Sequence, residues 1–327
     1  MERRLVVLTL ATLILGGALG CVRTEEKKVY RVGILITDDT YLDSASGFKD
    51  GMKERGYREG DNITYDLKNA NLNNKDLKRF AEQFAKDKVD LIFTATYIGA
   101  LAAKEATAET GIPVVFGPAG DPVEMGLVKS IQNSGNNLTG VSTLSLELTG
   151  KRLEMLTKIA PKTRRIAIIY SPNYTFSKLV AKLTFEAAGK LGISVVERLG
   201  NAEGEIRKAA ASINPREVDA IFGIPDILVN NQIAYIAEVA KKNRLPLMVH
   251  IRTLVLQGPL ASYGINLYSI GKQSARLADK ALKGVKPSDI PMETPHKFDL
   301  IINLKTAKAI GLKIPEPILG QADEIIR

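Results

Sequence analysis

Small polar and acidic residues gather where four apolar, strand-length runs end. Asp38, Asp39, Thr40 and Tyr41 follow the run Val29 to Ile36. Thr94, Ala95, Thr96 and Tyr97 follow Leu91-Ile92-Phe93 and open a helical stretch. A hydroxyl there, beside the free N–H groups of a helix N-terminus, suits a carboxylate or another anion, and Thr96 is equally suited to cap that helix. Gly117-Pro118-Ala119-Gly120-Asp121-Pro122 permits a tight turn after the third run, with Asp121 placed to cap the next turn. Ile224-Pro225-Asp226 ends the fourth run. Asp226 has no basic neighbour in sequence; a carboxylate so placed suits an amine, a sugar hydroxyl or a helix cap. Such groups hold a small solute, and the catalytic signatures are missing. No Gly-x-Gly-x-x-Gly follows the first strand, and neither a phosphate-binding Gly-x-x-x-x-Gly-Lys-Ser/Thr nor a Gly-x-Ser-x-Gly elbow is present. One cysteine, Cys21, and two separated histidines, His250 and His296, argue against a disulfide framework and a structural zinc site. His250 reads as a hydrogen-bonded strand-end residue and His296 as a solvated loop residue. The expectation is no enzyme, no cofactor and no metal.

These clusters need elements to hold them. Hydrophobic periodicity predicts strands over 29–36, 62–67, 89–94, 112–117 and 137–141, with helices over 44–56, 75–86, 98–107 and 126–131 between them. The pattern then restarts, with helices over 148–159, 176–191, 203–213 and 231–242 and strands over 165–170, 194–198, 218–224 and 245–250. Repeated βα units predict an α/β chain with two doubly wound, parallel-sheet lobes. The tail offers strands over 261–265 and 298–303 and helices over 268–282 and 305–310, too few for a third core. It must complete the two lobes already present, which makes the chain cross between them more than once. Ligands then bind in a hinged cleft where strand ends face each other.

The 327 residues suit two lobes better than one. The formal net charge of +9 is spread along the chain beside acidic residues and forms no block of five or six like charges. It reads as a basic solvated surface, and nucleic acid is not an expected partner.

Residues 1–20 combine Arg3 and Arg4, the apolar run Leu5 to Leu15 and a small-residue end. That is a secretory signal peptide. Ala18-Leu19-Gly20-Cys21 resembles a bacterial lipobox, which implies lipidation of Cys21 and cleavage before it. Residues 21–28 form a polar tether.

From Tyr30 to the C-terminus the chain resembles the ABC-transporter substrate-binding family that includes the tryptophan-binding lipoproteins. The resemblance rests on landmarks in order, among them Gly47-Phe48-Lys49-Asp50-Gly51-Met52, Glu54-Arg55-Gly56-Tyr57, Gly120-Asp121-Pro122-Val123, Asn137-Leu138-Thr139-Gly140-Val141-Ser142 and Pro225-Asp226. Pro291-Met292-Glu293-Thr294-Pro295 and Ile302-Asn303-Leu304-Lys305-Thr306-Ala307 continue it. The resemblance implies a type I periplasmic-binding fold with crossovers near Ser142-Thr143, Asn266-Leu267 and residues 293–298. Lobe 1 is then 29–142 plus 267–295, and lobe 2 is 143–266 plus 296–327. It implies an extracytoplasmic, membrane-anchored lipoprotein, a monomer, that captures an amino acid or related compound and delivers it to an ABC permease. A sensor of the same fold acting on a receptor kinase is the alternative. The residues expected at the ligand are Asp39, Tyr41, Thr96, Tyr97, Pro118, Ser142, Asp226 and Asn266. Thr96, Ser142 and Asp226 match family positions. Asn266 stands where amino-acid binders usually carry Asp, which removes a charge suited to an α-ammonium. Tyr97 replaces a usual proline, and with Tyr41 it is suited to stack on an aromatic ligand.

Overall fold

The computed structural model describes residues 28–327, so the signal segment, Cys21 and nearly all of the tether lie outside the described residues. The first lobe begins with β1 (Tyr30–Ile36), whose last five residues are all buried. A strand covered on both faces needs such an unbroken apolar run. A 3₁₀ turn (Asp39–Tyr41) leads into α1 (Leu42–Glu54), followed by β2 (Ile63–Asn69), α2 (Asn74–Lys86), β3 (Leu91–Thr94), α3 (Tyr97–Ala106), β4 (Val114–Phe116) and β5 (Leu138–Gly140). The five strands are parallel and ordered β2-β1-β3-β4-β5.

The second lobe repeats the plan. It contains α4 (Ser145–Ile159), β6 (Arg165–Tyr170), α5 (Thr175–Lys190), β7 (Ser194–Leu199), α6 (Glu203–Ala211), β8 (Ala220–Phe222), α7 (Ile227–Asn231), α8 (Ile233–Lys242), β9 (Leu247–Val249), α9 (Arg252–Val255) and β10 (Ala261–Gly264). After α10 (Leu267–Leu282) come β11 (Asp299–Asn303), α11 (Leu304–Ile310), α12 (Glu316–Leu319) and β12 (Glu324–Ile326). The second sheet is ordered β12-β11-β10-β9-β8-β6-β7. Within it β7-β6-β8-β9-β10 repeats the order of the first sheet, and β10–β11 is its antiparallel pair.

The tail is shared between the lobes. Helix α10 packs along α1 and against β3, β4 and β5 of the first sheet, whereas β11 and β12 extend the second. The α1–α10 crossing depends on glycine. A Cβ at Gly47 would lie 2.0 Å from the Tyr268 carbonyl oxygen, and one at Gly271 1.9 Å from that of Ser44. Only hydrogen at both positions lets the helix backbones approach this closely. The connecting strands are tied together: Ser142 N–H donates to Glu293 O (2.9 Å) and Glu293 N–H to Gly140 O (3.0 Å).

One local expectation fails. The segment 126–131 is a series of turns, not a helix. Gly126 has φ +69°, and Lys129 N–H bonds to Ser134 O rather than to a carbonyl one turn back. The helix expected over 231–242 is α8, and the short α7, capped by Asp226 and ending at Gln232, precedes it.

Candidate ligand-binding cleft

In a doubly wound sheet the order reverses beside the first strand, and the loops after the flanking strands diverge to leave a crevice. Here the reversals lie between β1 and β3 and between β6 and β8. The loops after these strands carry Asp38 and Thr96 in the first lobe and Ser171 and Asp226 in the second. The two crevices face each other across a cleft with an empty volume of about 940 Å³, open solvent at its mouth included. The lobes meet at its edge, where the backbone of Gly120 faces the Phe176 ring and Met125 packs against the second lobe's core.

Of the residues expected at the ligand, Tyr41, Thr96, Tyr97, Pro118 and Asp226 line this cleft. Thr96 caps α3, its Oγ1 accepting from Gly99 N–H at 3.2 Å. Its backbone stands at φ +79°, and its N–H donates to Pro118 O at 2.6 Å. A β-branched residue there is strained by about 1–3 kcal/mol, and such strain persists only where the surroundings enforce it. Tyr97 OH donates to Met125 O at 3.2 Å. That bond fixes its ring as a wall of the cleft.

Asp226 is almost wholly enclosed. Its Oδ1 accepts from Leu228 N–H (2.9 Å) and Val229 N–H (3.2 Å), and its Oδ2 from Ser171 N–H (2.9 Å) and Ser177 Oγ (2.7 Å). Four donors fill the usual capacity of a carboxylate. In this conformation Asp226 joins the ends of β6 and β8 and the start of α7.

Asp39, Ser142 and Asn266 are not brought to the cleft. Asp39 turns outward and accepts from Asn69 Nδ2 at 2.7 Å. Ser142 is buried just after β5, where its Oγ donates to Gly120 O (3.2 Å) and accepts from Leu144 N–H (3.2 Å). Asn266 caps α10 through Ser269 N–H (3.0 Å) and donates to Asp299 Oδ2 (2.9 Å), which ties two crossing segments together. The neighbours Asp38, Thr143, Ile265 and Leu267 line the cleft instead. The polar cluster after β1 announced an acidic wall, but only the turn geometry decides which aspartate faces inward.

Sequence reasoning missed the cleft's cation. Arg152 on α4 is 1% exposed. Its Nε donates to Tyr263 O on β10 at 2.9 Å, while Nη1 has no hydrogen-bond partner. Burial lowers its guanidinium to about 10. The available signal was a charged residue on an apolar helix face, four residues after Leu148. His250 also lines the cleft, and burial, with the charge of Arg152 beside it, pushes its imidazole down to about 3. It is neutral at any physiological pH. Tyr174 and Phe176 add aromatic surface from the second lobe. Burial, helped by Asp226 and Tyr97, raises the Tyr174 phenol to about 12. Burial also raises Tyr41, with contributions from Asp38 and Tyr174. The aromatic hydroxyls are therefore protonated donors. Among the described residues no group of His, Cys, Asp and Glu side chains is arranged to hold a metal ion.

The family described as "ABC transporter substrate binding protein" matches residues 30–326. A tyrosine-binding protein of Clostridioides difficile is 32% identical over 294 residues, 89% of this chain and 84% of that protein. A solved structure of a ligand-free, open substrate-binding protein with adhesive properties from Clostridium difficile is 30% identical, with a TM-score of 0.72 over 91% of this chain and 99% of that one. A Streptococcus pneumoniae ABC domain in complex with L-Trp is 24% identical, with a TM-score of 0.84 over 91% of this chain and 100% of that one.

Proposed function

We propose that this chain, which belongs to the family of ABC transporter substrate-binding proteins, captures an amino acid with an aromatic side chain and delivers it to an ABC permease. Family membership makes it an extracytoplasmic solute-binding protein rather than an enzyme, with the type I periplasmic-binding fold. No described helix is long and apolar enough to cross a membrane.

The observation that carries the aromatic reading is the wall formed by Tyr41, Tyr97, Tyr174 and Phe176 around an interlobe cleft. Flat rings there suit an aromatic side chain, and the protonated hydroxyls of Tyr41 and Tyr174 suit its polar tip. The relative named for tyrosine binding supports the same choice. Lobe boundaries at 142/143, 266/267 and 295/296 serve as the hinge in this reading. Cys21 carries the lipid, and the protein works as a monomer close to its permease.

Calorimetric titration of the purified soluble domain tests the ligand. Saturable binding of L-tyrosine or L-tryptophan is expected, with weaker binding of aliphatic amino acids. Free ligand at about 100 times its Kd adds about 2.7 kcal/mol of stability, read as a rise in Tm. Binding of sugars but of no amino acid would overturn the reading. Separately, Cys21→Ser is expected to release the protein from membranes in fractionated cells.

A further inference from the structure

The cleft holds one buried cation and one acidic group with spare capacity, and they stand on opposite lobes. Arg152 projects from α4 of the second lobe, pinned at Nε by Tyr263 O. Nη1 is buried without a partner, and among the described residues no ion pair engages this side chain. An enclosed guanidinium without a counter-ion is costly, which leaves a strong demand for an anion. His250 beside it is neutral and adds no competing charge. Across the cleft, Asp38 accepts one hydrogen bond on each oxygen, from Thr40 N–H (2.8 Å) and from Thr37 Oγ1 (3.0 Å). Each oxygen keeps a free lone pair, whereas those of Asp226 are filled.

We infer that Arg152 anchors a carboxylate on the ligand while Asp38 takes its ammonium group, so that a zwitterion bridges the two lobes. This rests on the amino-acid reading above and deepens it. The two charges are met by groups on different lobes, so both contacts form together only when the lobes are closed. Differential contact of that kind is what shifts an open–closed equilibrium. A charge-assisted bond to Nη1 also satisfies a donor that none of the described residues reaches. The carboxylate belongs at the base of the second lobe, the ammonium at the end of β1, and the side chain against the aromatic wall.

The test compares L-tyrosine, tyramine (no carboxylate) and hydroxyphenylpropionate (no ammonium) by calorimetry on wild type, Arg152→Met and Asp38→Asn. Wild type is expected to prefer L-tyrosine over either analogue by roughly 100-fold, the scale of a buried charge pair losing one partner. Arg152→Met should lose about the same factor for L-tyrosine and hydroxyphenylpropionate and leave the weak binding of tyramine unchanged. Asp38→Asn should weaken L-tyrosine and tyramine and spare hydroxyphenylpropionate. The ligand-free Tm of Arg152→Met should be unchanged or higher, because an unpaired buried charge has been removed. A large fall in that Tm, or equal loss for all three compounds, would make Arg152 structural and overturn the inference. Tyramine binding wild type as well as L-tyrosine does so too. If wild type ignores all three but binds an aliphatic amino acid through Arg152, the aromatic reading fails and the anchor stands. If it binds only uncharged sugars, unaffected by Arg152→Met, the anchor fails as well.

Discussion

The two lobes carry the same strand order, and each places an aspartate near its reversal point, but they use it differently. In the second lobe Asp226 takes four donors and joins two strand ends to a helix. In the first lobe Asp38 takes two and faces the cleft with capacity to spare. Strain is divided as unevenly. Thr96 at the first reversal has φ +79°, while Asp226 at the equivalent place has ordinary extended backbone. Repetition of a fold unit therefore does not repeat a function. The donors that surround a carboxylate decide whether it holds the protein together or remains available to a solute.

The largest test of this contrast is Asp226→Ala. It removes a helix cap and leaves the Ser171 N–H buried without an acceptor. A loss of about 3 kcal/mol is expected, seen as a Tm several degrees lower. The chemically similar Asp38→Asn should leave Tm nearly unchanged, since an amide oxygen still accepts from Thr40 N–H. Equal destabilisation by the two variants would break the comparison.

A smaller effect is expected at Thr96. Thr96→Ala keeps the strained backbone and loses the cap to Gly99, whereas Thr96→Gly relieves the strain at little capping cost. Chemical denaturation should find the glycine variant more stable than the alanine variant by about 1–2 kcal/mol. The reverse order would show that φ at this position is not enforced by the first lobe.

A pH-dependent effect concerns the joint between the lobes. Asp121 Oδ2 accepts from Leu146 N–H at 3.3 Å. Burial raises its carboxyl to about 7, and Glu147 adds to the shift. A raised carboxyl means that the folded state binds more protons than the unfolded state between about pH 4 and 7. Its contribution is thus fully present below about pH 4 and is lost as pH rises through about 7. Asp121→Asn should flatten that decline in pH-dependent unfolding. An unchanged slope would remove Asp121 from the account of the joint.

Much of the fold was legible because buried parallel strands must be continuous apolar runs. The stretches at β1, β3 and β6 therefore announced themselves within a few residues of their limits. The family resemblance was legible for a related reason: its landmarks are turns and strand ends, where chemistry is restricted. The turn segment after Pro122 was misread because its leucine and valine mimic a helical face, and only Gly126 at φ +69° breaks the pattern. Helix α9 and strand β12 were too short to show periodicity.

The sequence by itself determined two α/β lobes, a single cysteine at the end of a signal-like segment, and polar strand ends without a catalytic motif. Tertiary structure alone decided which polar residues meet. Asp38 rather than Asp39 faces the cleft because the turn after β1 rotates one inward and gives the other to Asn69. Arg152 joins it from a distant helix because β10 supplies the carbonyl that holds its Nε, and among the described residues Nη1 has no partner. Residue type and spacing record what a side chain can do. Whether its hydrogen-bonding capacity is already filled depends on neighbours brought together from distant parts of the chain.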